Sequence, residues 1–364
     1  MPVAEFVVQT ANQRYESRQR AIPEPHDHGA VLRVEACGIC GSEVELLLGH
    51  LPEVQLPIAP GHEVVGRIEK IGNAARREWG VDLDDRVVLM SALRCGRCRG
   101  CIAGDPCTEV VEGEPGSYGW RDPDIDPGLW GGFATHMWLA PGSVVIPIAN
   151  EVPLEEAVLF NPLANGFEWV VGISAIKALD RVAVLGCGPQ GLGCLLAAQE
   201  AGASEVVVTG IAGDEMRLDM AERLGATAAV DVTGGLAADF VQTHFTGSPD
   251  LVIDTTPSPE TVSEAVTMVR LCGSIVVSGF KRGPVRLSES VIHSLVSRAV
   301  KIRGARSKSL DSLRRAVQLI ERRTDGFEGM STDAFPLSEA QLAVEVFGGL
   351  YDGVRRPHVR IEPG

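Results

Sequence analysis

Along the first ~150 residues the apolar positions come in short runs, at 31–36, 64–71, 86–90 and 144–148, each bounded by Gly, Pro or Asp. Short runs between turn formers predict strands and tight connections. Two stretches fit no regular element: 93–107, crowded with Cys, Gly and Arg, and 112–132, rich in Gly and Pro. From Asp180 the pattern changes. Strand-like apolar runs at 181–185, 205–209, 228–232, 250–254 and 274–278 alternate with helix-like segments at 191–201, 214–224 and 259–269. That alternation predicts βαβ units and a parallel, doubly wound sheet, hence an α/β chain. It stops near Val300, after which 310–322 and 338–351 read as helices of a returning segment.

Composition narrows what such a chain does. An apolar content of 45% excludes disorder, and a net charge of −15 argues against nucleic acid and anionic membrane partners. The most apolar stretch, 182–198, is broken by glycines, a proline and a glutamine, so no membrane span is expected. Residues 1–10 carry no basic cluster ahead of an apolar core, so no secretory leader is expected and the location is taken as cytoplasmic. In a reducing compartment nine cysteines mean thiols or metal ligands rather than disulfides.

Cys95, Cys98, Cys101 and Cys107 form C-x2-C-x2-C-x5-C. Four thiolates on so short a loop can wrap one tetrahedral Zn²⁺ as a structural site, with an iron–sulfur cluster as the alternative. A second group is split along the chain: Cys37-Gly-Ile-Cys40-Gly-Ser42-Glu43 and Gly61-His62-Glu63-Val-Val-Gly66. Cys40, His62 and Glu63 make a three-ligand set of the kind that leaves a catalytic zinc an open position.

The run 182–185 leads into Gly186-Cys-Gly188-Pro-Gln-Gly191 and then a helix-like segment. In that strand–turn–helix context G-x-G-x-x-G marks a dinucleotide site. Gly186 would allow the tight turn, Gly188 the approach of a pyrophosphate, and Gly191 close helix–strand packing. Gly210 stands where an acid for the ribose is expected. Asp214 could reach back to the ribose, or Arg217 could meet a 2′-phosphate, which leaves NAD and NADP both open.

In their order and spacing these motifs resemble the medium-chain dehydrogenase/reductase superfamily, in its zinc-containing alcohol, polyol and threonine dehydrogenase branch. The resemblance spans essentially the whole chain. It implies a GroES-like β-rich catalytic domain at 1–157 and 299–364, with a zinc lobe near 93–108, around a Rossmann NAD(P)-binding domain at 158–298. It also implies a homodimer or homotetramer acting on a small molecule. Cys40, His62 and Glu63 match the family's catalytic zinc residues, the four lobe cysteines its structural zinc site, and Ser42 the hydroxyl that touches substrate. Two positions depart from the family. Asn161 stands where relatives carry Glu or Cys at the zinc, and Glu45 where many carry a proton-relay His. The implied reaction is hydride transfer between NAD(P) and a secondary alcohol or polyol, or the reverse reduction. The alternatives are a reductase of activated C=C or C=N bonds lacking the catalytic zinc, and a non-catalytic nucleotide-responsive protein.

Overall fold

A computed structural model describes residues 2–103, 107, 116–323 and 326–364. The chain divides into two compact units. The first comprises Met1–Asn161, Val317–Asp352 and His358–Gly364, the second Pro162–Ala316 and Gly353–Pro357.

In the first unit, strand Ala30–Gly38 is central and almost wholly buried. It pairs antiparallel with Glu63–Ile71, His136–Leu139 and the C-terminal Val359–Ile361, so both ends of the chain build one sheet. Arg86–Leu89 and Val145–Pro147 extend that sheet on one side, and Asp333–Phe335 on the other. Its core holds Leu32, Phe133, Trp130 and Trp138. A hairpin, Val3–Ala11 with Arg14–Ala21, stands as a separate two-stranded sheet. The second strand of that hairpin (RYESRQRA) is almost entirely polar, which is why no apolar run announced it.

The second unit is a six-stranded parallel sheet in the order Ala228–Asp231, Glu205–Gly210, Arg181–Leu185, Leu251–Asp254, Ser274–Val277, Lys301–Gly304. This is the strand order of a dinucleotide-binding sheet, with its reversal point beside Arg181–Leu185. Val182–Leu185 are fully buried because helices cover both faces of the sheet, and that burial underlies the unbroken apolar run. The alternation expected to stop near Val300 continues one strand further, to Lys301–Gly304. Its four residues are all exposed at the sheet edge, so no hydrophobic pattern marks it. The helices Ala237–Thr243 and Glu289–Ser297 also lie outside the expected set; the second buries no residue. By contacts the second unit runs on to Ala316, and 353–357 pack with it.

Candidate active site

The antiparallel register Gly38↔Glu63 and Cys37↔Val64 sets the end of one strand beside the start of the next. Cys40 lies just past the first and caps helix Gly41–Leu47, and His62 just precedes the second. Gly61 between them has φ +96, and a Cβ there would sit 2.6 Å from the Phe133 nitrogen, so only glycine fits this turn. The ligand atoms of Cys40, His62 and Glu63 consequently all lie within 4.8 Å of one another. A tetrahedral zinc with bonds of about 2.0–2.3 Å needs ligand separations of about 3.3–3.8 Å. The thiol, imidazole and carboxylate present are donor types that suit that ion, gathered at a compatible spacing.

Three residues around this cluster were given no role by the sequence: Glu43, at the end of the first motif, His358 and His50. Glu43, 2% exposed, accepts a hydrogen bond from His62 Nδ1 at 2.6 Å on one oxygen. Its other oxygen accepts from the Cys40 N–H at 3.1 Å and from Ser42 Oγ at 3.3 Å. Holding the Nδ1 proton leaves His62 Nε2 free to bind a metal. Burial disfavours an imidazolium here, but the Glu43 carboxylate and Cys40 outweigh it and hold His62 well above the ordinary histidine pKa. An acid three residues after Cys40, at the third helical position, was the available signal. His358 is fully buried, with Nε2 at 3.4 Å from Glu63 and Nδ1 at 3.2 Å from Ser331 Oγ. His50 pairs through Nδ1 with Glu45 at 2.9 Å, and its side chain is 41% exposed against 14% for Glu45.

Asn161 is buried at the cluster, and its amide Nδ2 donates to Glu63 Oε1. Glu63 is therefore gripped from two sides, by Asn161 and His358. Cys37 is fully buried, and burial together with the Glu43 charge pushes its thiol pKa up, so it stays a neutral core residue. Of the three tryptophans near 112–138, Trp130 and Trp138 are core residues, whereas the Trp120 ring lies 5.8 Å from that of His62. Trp120, Arg121 and Asp122 join Glu53, Gln55 and Leu56 around a cavity of about 490 Å³. Residues 112–115, at the start of the stretch that fits no regular element, lie outside the described residues.

The four-cysteine lobe is compact. Cys95 and Cys101 Sγ are 3.9 Å apart, as are Cys98 and Cys107 Sγ. A tetrathiolate zinc with bonds of about 2.3 Å has sulfur separations of about 3.8 Å, so the lobe fits the ion as it stands. Backbone N–H groups of Cys98 and Cys101 point at the sulfurs of Cys95 and Cys98, each at 3.3 Å, and would stabilise thiolates.

In the second unit, Gly186 has φ +100, and a Cβ at Gly191 would lie 1.9 Å from the Gly186 carbonyl oxygen. At Gly188, the cap of helix Pro189–Glu200, the nearest atom to a Cβ would be Arg217 Nη1 at 3.9 Å, so that face is open to a pyrophosphate. Asp214 and Arg217 are brought together, but on each other: Arg217 Nη1 is 3.4 Å from Asp214 Oδ1, and Arg217 Nε donates to the Arg356 carbonyl. Both are buried.

A parallel dinucleotide-binding sheet in one unit, and in the other a sheet carrying two metal-competent clusters, define a zinc-containing nucleotide-linked dehydrogenase. Comparison with known proteins is consistent with that class. Residues 26–150 match the alcohol dehydrogenase GroES-like domain, and 189–322 match the zinc-binding dehydrogenase family. A Mycobacterium tuberculosis protein named a probable alcohol dehydrogenase is 35% identical over 99% of both chains. An erythritol/L-threitol dehydrogenase from Mycolicibacterium smegmatis is 26% identical over 94% of this chain and 93% of its own. An alcohol dehydrogenase structure from Thermotoga maritima superposes with a TM-score of 0.87 over 100% of both chains, at 23% identity. A chain from Sinorhizobium meliloti 1021, solved bound to NADP, is 26% identical over 100% of both chains, with a TM-score of 0.82. The chain belongs to the zinc-containing medium-chain dehydrogenase/reductase superfamily, as an alcohol or polyol oxidoreductase for which zinc and NAD(P) are the expected cofactors. Among the described residues no helix is long and apolar enough to cross a membrane.

Proposed function

We propose that the protein is a zinc-dependent dehydrogenase of secondary alcohols or polyols, working in either direction. The observation that carries this reading is the buried cluster of Cys40, His62 and Glu63, with Glu43 fixing the His62 tautomer. Zinc, when bound, supplies Lewis acidity toward the substrate oxygen, and the nicotinamide supplies the hydride acceptor or donor. Cys40, His62 and Glu63 would hold the ion. Asn161 and His358 steady Glu63, so Asn161 acts on the site through that carboxylate. Ser42 Oγ would take the hydroxyl proton, since it already lies in a hydrogen-bonded chain with Glu43. Glu45 lies three residues beyond Ser42, one turn along the same helix, and its His50 partner reaches solvent. That pair would carry the proton outward. Gly186, Gly188 and Gly191 would cradle the cofactor pyrophosphate.

A homodimer or homotetramer belongs to the same proposal. It is supported by the exposed edge strand Lys301–Gly304 and by helix Glu289–Ser297, with Ile292, Val296 and Ile302 uncovered. Four thiols gathered at one metal-competent lobe suit a reducing, cytoplasmic setting. Zinc content of the purified protein tests the central reading. Two zinc ions per subunit, with NAD(P)-linked oxidation across a panel of secondary alcohols and polyols, are expected. One zinc per subunit, held by the lobe, would instead favour the reductase of C=C or C=N bonds that lacks the catalytic zinc.

A further inference from the structure

The two nicotinamide cofactors differ at one position, a 2′-hydroxyl or a 2′-phosphate on the adenosine ribose. A dinucleotide-binding sheet reads that difference just after its second strand, where a carboxylate accepts from the hydroxyl. Here strand Glu205–Gly210 ends in glycine. A Cβ at Gly210 would lie 2.7 Å from Cys187 Sγ in the nucleotide turn and 3.0 Å from Leu218 Cδ2. Glycine suits this crowded position, and no carboxylate stands at the end of the strand.

Asp214, the next acid, is 7% exposed and turned into its own loop. Its Oδ2 accepts from the Ile211 N–H at 3.1 Å, and its Oδ1 faces Arg217 Nη1 and Arg355 Nη1, each at 3.4 Å. It is a loop organiser with two cations on it. Arg217 is buried beneath the loop, but Arg355 is placed differently. It arrives on 353–357, the C-terminal stretch that packs with the nucleotide-binding unit, and its N–H donates to the Gly213 carbonyl at 2.9 Å. Its Nη1 also donates to the Ala212 carbonyl at 3.3 Å, so one corner of the guanidinium is anchored. The side chain is 33% exposed, and among the described residues its Nε and Nη2 have no hydrogen-bond partner. A guanidinium anchored at one nitrogen with the others open is suited to a phosphate.

Two other acids border the loop. Glu215 accepts from the Gly213 N–H at 3.0 Å, and Asp231 accepts from the Thr233 N–H at 2.8 Å; both are exposed. Asp214, Arg217 and Arg355 together carry one net positive charge, and Arg355 is the member that solvent reaches. We propose that this dehydrogenase takes NADP(H) and that Arg355, delivered by the C-terminal stretch, is the ligand of the 2′-phosphate. The proposal rests on the reading of the protein as an NAD(P)-linked dehydrogenase and names which of the two nucleotides it uses.

Calorimetric titration of the full-length protein with 2′-phospho-ADP-ribose and with ADP-ribose tests this without turnover or a catalytic metal. The phosphorylated compound should bind about 10- to 100-fold more tightly, the range of a charge-assisted contact. Arg355→Ala should erase that preference while leaving ADP-ribose within about twofold. Arg355→Lys keeps the charge without the fork and should retain part of the preference, which separates loss of the contact from loss of the loop. An unchanged preference in Arg355→Ala would overturn the assignment of this residue. Tighter binding of ADP-ribose, weakened by Glu215→Gln, would overturn the choice of NADP(H) and make Glu215 the hydroxyl acceptor. Binding of neither compound would overturn the NAD(P)-linked reading itself.

Discussion

Replacing Glu43 by glutamine keeps shape and volume while removing one acceptor oxygen and the charge. The carboxylate serves His62 Nδ1 on one oxygen and the Cys40 N–H and Ser42 Oγ on the other. A glutamine can serve only one of these sides. If its NH₂ turns to His62, Nδ1 must become an acceptor, and the imidazole proton moves to Nε2, the nitrogen intended for the metal. If it turns to Cys40 and Ser42, their two donors face donors instead. Removing such a partner of a metal-bound histidine costs about 10- to 100-fold in metal affinity, or about 1.4–2.7 kcal/mol. Zinc dissociation constants from chelator competition would measure it, with the four-cysteine lobe as an internal control that should not change. The acid side offers a second readout. Because Glu43 raises the His62 pKa, protons compete with zinc up to an unusually high pH, and binding weakens as pH falls through that value. Glu43→Gln should move this loss to lower pH even as it weakens binding at high pH. Wild-type zinc affinity at both clusters, with an unshifted pH profile and kcat/KM within about twofold, would refute the reasoning.

Three further substitutions probe other parts of the molecule. Gly191→Ala would force a methyl to within 1.9 Å of the Gly186 carbonyl, so the turn must shift; ADP-ribose binding should fall at least about tenfold, with about 1–3 kcal/mol lost in denaturant unfolding. Cys98→Ser, at a thiol only 4% exposed, should remove one zinc per subunit and about 2–4 kcal/mol of stability while sparing the Cys40 cluster, as metal analysis and thermal melting would report. Asn161→Asp sets a second buried carboxylate against Glu63, so in chelator one of the two must hold a proton. The folded-state pKa is then raised, and the melting temperature of this variant should fall relative to wild type as pH rises from about 5 to 8, whereas added zinc should restore it.

Local pattern carried the parts of this protein whose chemistry is local. The lobe was legible because all four sulfurs sit on one short loop, and the nucleotide turn because Gly186, Gly188 and Gly191 join one buried strand to the next helix. The strands of the parallel sheet showed as apolar runs because they are buried on both faces. The exposed edge strand Lys301–Gly304 and the polar hairpin strand Arg14–Ala21 left no such trace. Cys40, His62 and Glu63 could be nominated from their types, but their convergence depends on the register between two antiparallel strands. The partners of that cluster were further from reach. His358 is 295 positions from the Glu63 it touches, and Asn161 is 98. Asp214 and Arg217 were each legible as a cofactor residue; that they lie against one another, with a part-exposed Arg355 beside them, was not. Sequence alone thus determined the class of fold and the metal and nucleotide motifs, because those rest on burial periodicity and short spacings. Which side chains orient them was decided only by the tertiary structure, since a buried carboxylate or guanidinium finds its partner through space and leaves no spacing to read.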